Sequence, residues 1–267
     1  MTLPRTTYTG RVPAFERISL KFDRGVWHAR RALSLIEGYR NSGALPVVSS
    51  VEGHSGDQLW TVAGEPSPPP QELALCLGDA LHNFRASLDY LAKQMVLLAG
   101  SVPNRSTGFP IRETVHQFKS DSGTKLSGMS KPMISAVRQW QPFELEKFNS
   151  YRAEALLELE HLDIADKHDD LVLVTAGSAG AFWPAGGAGQ AGVGPMVLGA
   201  EVARFPAGHH QPTLLPVPEA AVKLTGPHDG QLVSQVLHRQ LFLLPQLLEH
   251  FRAEFFPDDA RILIPPV

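Results

Sequence analysis

Apolar positions recur every three or four residues along several stretches of this chain, the pattern of helices that each bury one face. Phe15, Ile18, Phe22, Val26, Ala29, Leu33 and Ile36 make one such stripe and predict a helix over Phe15 to Tyr39, ended by AsnSerGly at 41–43. A clearer stripe, Leu73, Leu77, Leu81, Phe84, Leu88, Leu91 and Met95, predicts a long helix over Gln71 to Leu98. Two short helices are expected around 112–118 and 131–140, then a long one from about Glu144 to His168. A last helix, Gln231 to Phe256, should bend at Pro245, which removes a backbone donor and crowds the preceding turn.

The remaining apolar runs have the β-prone texture of valine, leucine and threonine bounded by turn residues. LeuProValValSerSerVal and GlnLeuTrpThrVal flank GluGlyHisSerGlyAsp and predict a hairpin, followed by an extended GluProSerProProPro connector at 65–70. Beyond Asp170, LeuValLeuValThrAla, MetValLeuGlyAlaGluValAlaArgPhe and AlaAlaValLysLeu predict an antiparallel meander. The Gly/Ala segment at 185–194 lacks the Lys-Ser/Thr ending of a phosphate loop and precedes a strand, so it reads as a flexible loop. The expected fold class is α+β, mainly α, in a single domain over 1–267. Its helical core takes 14–168 and 230–257, a β-hairpin follows the first helix, and an antiparallel meander precedes the final long helix, with β-rich portions at 44–64 and 171–225.

Composition narrows the class. The chain has 267 residues, is 43% hydrophobic, and carries 24 basic against 27 acidic residues, so it is long enough for a sizeable core and has no long block of either sign. One cysteine, Cys76, excludes an internal disulfide and a cysteine-based zinc cluster, and fits a reducing compartment. No run reaches the roughly 18 apolar residues of a membrane span, and the N-terminal segment lacks a signal-peptide core. The expectation is a cytoplasmic protein without a membrane partner.

Candidate chemistry lies on two polar helix segments. Opposite the leucine stripe of 71–98 lie Asp79, His82, Asp89 and Lys93, with Arg85 one turn from Asp89. As a solvated face this strip needs no function, but a groove there would pair an imidazole that moves protons near neutral pH with a guanidinium that holds phosphate. On the later helix, His161 and His168 share a face with Ala153, Leu157 and Ile164, either as buried histidines with satisfied nitrogens or as a complement to the first strip. AspLysHisAspAsp at 166–170 also suits a helix C-terminus, where Lys167 and a protonated His168 meet the negative dipole end. Asp79-x-x-His82 and Glu158-x-x-His161 have the spacing of di-iron bundles, with Glu37 and Glu249 as nominal further ligands. No GxSxG elbow, Walker loop, HExxH or dinucleotide fingerprint is present.

GlyAspAlaLeuHisAsnPheArgAlaSerLeuAspTyrLeuAla at 78–92, PheProIle at 109–111 and IleAlaAspLysHis at 164–168 together resemble a family of uncharacterised bacterial and phage-borne proteins with a GDALHN-x-R-x-x-LDHLA helix, an FPI loop and a later IDKH segment. The resemblance covers about half the chain. The helix is also similar to the arginine-then-histidine arrangement of HEPN domains, helical proteins that are often metal-independent ribonucleases or toxin components with the site at a dimer interface. Carried over, Arg85 matches the arginine, while the histidine position falls on Tyr90, whose phenol is a poor base at neutral pH.

The resemblance thus implies a HEPN-like protein that binds RNA or nucleotide phosphate and acts as a ribonuclease or defence component. Arg85, His82 and His168 would be catalytic, with Asp79, Asn83, Asp89, Tyr90, Asp166 and Lys167 as binding residues, no cofactor and a homodimeric state. Two other readings stay open: a non-enzymatic dimeric protein whose polar strip makes buried hydrogen bonds, and a carboxylate/histidine metal bundle.

Overall fold

The computed structural model describes residues 15–168, 173–182, 190–211, 213–223 and 228–259. In chain order the elements are α1 (Glu16–Arg40), β1 (Val47–Val51), β2 (Gln58–Val62), α2 (Gln71–Leu98), α3 (Val115–Lys125), α4 (Lys131–Gln139), α5 (Pro142–Leu145), α6 (Ser150–His168), β3 (Leu173–Phe182), β4 (Gln190–Ala191), β5 (Gly194–Pro195), β6 (Glu201–Phe205), β7 (Leu215–Lys223) and α7 (Val233–Phe255). The protein is α+β and mainly α. No helix among the described residues is long and apolar enough to cross a membrane.

The stripe that predicted α2 is its buried face: Leu73, Leu77, Leu81, Phe84, Leu88, Leu91 and Met95 are each 0% exposed. They share one apolar cluster with Phe22 and Ala29 of α1, Leu156 and Leu159 of α6 and Leu244 and Phe251 of α7. The last helix touches α1, α2, α6 and β7, so it returns to the helical core, and it runs on through Pro245.

The helix expected from about Glu144 to His168 is two helices. Nothing in the apolar period interrupts this stretch, but Asn149 stands just before α6, and its Oδ1 accepts the Arg152 amide at 3.2 Å, in the manner of a cap that starts a new helix. Both α1 and α2 come very close at Gly25, where a Cβ would lie 2.5 and 2.6 Å from two ring carbons of the fully buried Phe84. In an exposed helix Gly→Ala would gain about 1 kcal/mol of helix propensity. Here the clash outweighs that gain. Gly25→Ala should lower stability by about 1–3 kcal/mol, read from the shift of the urea midpoint at constant m-value.

The strands form two antiparallel sheets. The expected hairpin is present, with Val47 opposite Val62. Its second strand also pairs with β6, which gives the order β1-β2-β6-β4, and Trp60, Val62, Val202 and Phe205 build a smaller apolar cluster on this sheet. The other sheet has the order β5-β3-β7 and places Ala220 and Val222 against the helical core. Within 196–205 only Glu201–Phe205 is strand, because Gly199 turns the chain at φ +82 and the Ala200 amide bonds back to Val197 O at 2.9 Å. Most of the Gly/Ala loop at 185–194 lies outside the described residues, and its end supplies β4 and part of β5.

Candidate functional site

Arg85 sits at the junction of three segments. It is 6% exposed, and its guanidinium points three ways: Nε donates to Glu160 Oε2 on α6 at 2.8 Å, Nη1 to Asp89 Oδ1 one turn along α2 at 2.7 Å, and Nη2 to the Phe109 carbonyl at 2.8 Å. Burial disfavours the guanidinium charge, yet Asp89 and Glu160 more than offset it and raise the pKa.

The PheProIle loop is held at nearly every backbone polar group. Asp89 Oδ1 accepts the Phe109 amide at 3.0 Å, Gln141 Nε2 donates to Pro110 O at 2.8 Å, and Arg112 Nη1 donates to Ile111 O at 2.7 Å and to Glu160 Oε1 at 3.0 Å. A Cβ at Gly108 would stand 2.8 Å from Asp89 Oδ1, so glycine there lets the loop approach the carboxylate. Motif and loop are therefore parts of one clamp. A phosphate reaching Arg85 would compete with these acceptors for a guanidinium that is itself buried.

The rest of the predicted strip is spread around α2. His82 is half exposed and its Nδ1 is 3.3 Å from Oδ1 of the buried Asp163 on α6. Asp79 is largely exposed, 3.5 Å from His28 Nδ1, and its carbonyl accepts Asn83 Nδ2 at 2.7 Å. Asp166 packs against Gly78, where a Cβ would come within 2.5 Å of its Oδ1. The side chains of Lys167 and His168 lie outside the described residues.

The residues suggested for a di-metal set do not converge. Glu158 forks onto Arg239, His161 bonds to His228, Glu37 lies beside Arg40, and Glu249 beside Arg252. Among the described residues no group of three or more His, Cys, Asp or Glu is placed to hold a metal ion.

Asn83 and Tyr90 instead face a groove between α1 and α2. It is open, about 510 Å³, and its other wall is Arg17, Leu20, Lys21 and Arg24. The spacing of four, three and three from Arg17 through Lys21 and Arg24 to Trp27 puts these residues on one side of α1. Arg24 lies 4.6 Å from the ring centroid of the exposed Trp27, and Lys93 lies 5.5 Å from that of Tyr90. Among the described residues no carboxylate forms an ion pair with Arg17, Lys21 or Arg24, although α1 also carries Asp23, whose carboxyl burial pushes up.

This stripe was absent from the sequence-based expectations because the cations form no contiguous block. Only helical periodicity collects them on one face. The chain matches no family model, no curated protein and no solved structure. What the groove does is read from its geometry.

Proposed function

We propose that the protein binds single-stranded RNA through the groove between α1 and α2, as a non-catalytic module of a HEPN-like helical scaffold acting in the cytoplasm. The observation that carries this reading is the stripe of Arg17, Lys21 and Arg24 facing Asn83 and Tyr90, with Trp27 at its end. Cations without carboxylate partners take up backbone phosphates with release of counterions, and aromatic rings beside them offer stacking platforms for bases of any sequence. Arg85, by contrast, supports the reading as scaffold: it is 6% exposed and each of its three nitrogens donates to a protein acceptor, Glu160, Asp89 or Phe109 O, which favours binding elsewhere over cleavage here. His82 and Asp79 are then the accompanying polar surface of α2.

Fluorescence anisotropy with a labelled single-stranded RNA tests the proposal. The triple variant Arg17→Glu, Lys21→Glu, Arg24→Glu should bind at least about tenfold more weakly, and the slope of log K against log salt should fall by roughly 2 for three lost phosphate contacts on a single strand. Unchanged affinity in a folded triple variant would sink the reading.

A further inference from the structure

The groove between α1 and α2 carries charge at its rim and a neutral amide in its floor. Arg17 and Arg24 are exposed, whereas Asn83, which lines the same groove, is only 8% exposed. The two helices run antiparallel: Arg31 meets Glu72 at 2.8 Å, His28 lies 3.5 Å from Asp79, and Gly25 packs against Ala80 and Phe84. Asn83 therefore stands across from Arg24, the cation beside the Trp27 ring, while Tyr90 lies about two turns further along α2, toward Arg17.

What the Asn83 amide touches fixes which way it faces. Its Nδ2 donates to the Asp79 carbonyl, one turn back on α2, at 2.7 Å. A carbonyl only accepts, so turning the amide over would set oxygen against oxygen. Oδ1 is the atom left over. Among the described residues no donor reaches it, yet it is not sealed from solvent, and the space beside Asn83 is the groove.

An acceptor in the floor of a cationic groove cannot serve the phosphates, which need donors. It can serve an N–H or O–H carried by the same ligand, and a donor brought to an amide withdrawn this far from water replaces hydration that the floor supplies poorly. Phosphates held by Arg17, Lys21 and Arg24 stay at the rim, and the ribose joined to them stays close to it. A base can turn its flat edge inward. On that edge adenine and cytosine carry an exocyclic NH₂ where guanine and uracil carry a keto oxygen.

Building on the RNA-binding reading of this groove, we propose that Asn83 is its specificity-determining residue, with Oδ1 accepting from the exocyclic amine of one base. A keto oxygen in the same place would face Oδ1 as acceptor against acceptor, so the groove selects by repulsion as well as by the bond. Uracil has an N3–H to offer instead, but it lies between two carbonyl oxygens of its own ring.

Cytosine and uracil have the same shape, so labelled oligocytidine and oligouridine of equal length make the test, by fluorescence anisotropy near neutral pH. Wild type should bind oligocytidine at least about fivefold more tightly, the worth of roughly one hydrogen bond. The two strands should show the same salt dependence, because they give the same phosphates to the rim. The corresponding deoxy strands should keep the ratio, since the donor is on the base. Asn83→Ala, which places the best helix former on α2, should remove the difference between the two bases. Equal or reversed affinities in wild type would overturn the inference and leave RNA binding in the groove standing, whereas binding of neither strand would overturn both. A preference that survives in Asn83→Ala would assign it to another residue, and a ratio lost in the deoxy strands would assign the donor to the 2′-hydroxyl; either result overturns the proposal.

Discussion

Replacing Arg85 with alanine is expected to lower stability by roughly 3–5 kcal/mol, the cost of breaking a buried ion pair by removing one partner. Glu160 is 8% exposed and would keep only Arg112, Asp89 would lose its cation, and the Phe109 carbonyl would be left without its side-chain donor. For a chain of this size that corresponds to a fall in melting temperature of about 10 °C, measurable by calorimetry. Arg85→Lys should recover less than half of the loss, since one ammonium on a flexible stem cannot serve three acceptors set in three directions. A loss under about 1 kcal/mol in Arg85→Ala would mean that the clamp is not what holds the PheProIle loop. The comparison also guards the functional experiment: reduced RNA binding in an Arg85 variant reports on folding unless its stability has been measured first.

Much of the helical architecture was legible because it depends on period alone. The stripe of α2 is buried as its spacing predicts, and Val and Thr runs around a turn-rich bridge formed the hairpin. What period cannot show is a partner distant in sequence. Asn149 started a new helix through one side-chain bond that leaves the apolar pattern unbroken. The strand β6 pairs with β4 on one side and with the N-terminal hairpin on the other, about 140 residues back along the chain. Arg85 was recognisable as a motif residue, but its dependence on Phe109 and Glu160 lies 24 and 75 residues away.

The basic stripe on α1 is legible only at helical spacing, because Arg17, Lys21 and Arg24 form no contiguous block. The histidine pair was not readable at all: His228 sits in a Gly/Pro-rich turn, 67 residues from His161, and only the packing of α6 and α7 brings them together.

Arg239→Met should destabilise the protein by roughly 3–5 kcal/mol near neutral pH, because Glu158 is 0% exposed and would keep only Gln240, whose Nε2 lies 3.3 Å away, against the cost of its charge. Burial already pushes the Glu158 carboxyl above its ordinary 4.5, with Arg239 pulling it back, so losing the arginine raises it further. A carboxyl whose folded pKa exceeds its unfolded value contributes stability that is present below about 4.5 and lost as pH rises through the folded value. The deficit of Arg239→Met relative to wild type should therefore shrink between pH 8 and pH 5. Replacing both groups, as Glu158→Leu with Arg239→Met, should be near neutral or mildly stabilising, since no buried charge is then left unpaired. Denaturation midpoints of wild type and the two variants at both pH values decide it; a double variant as unstable as the single one would show that the pair contributes more than mutual neutralisation.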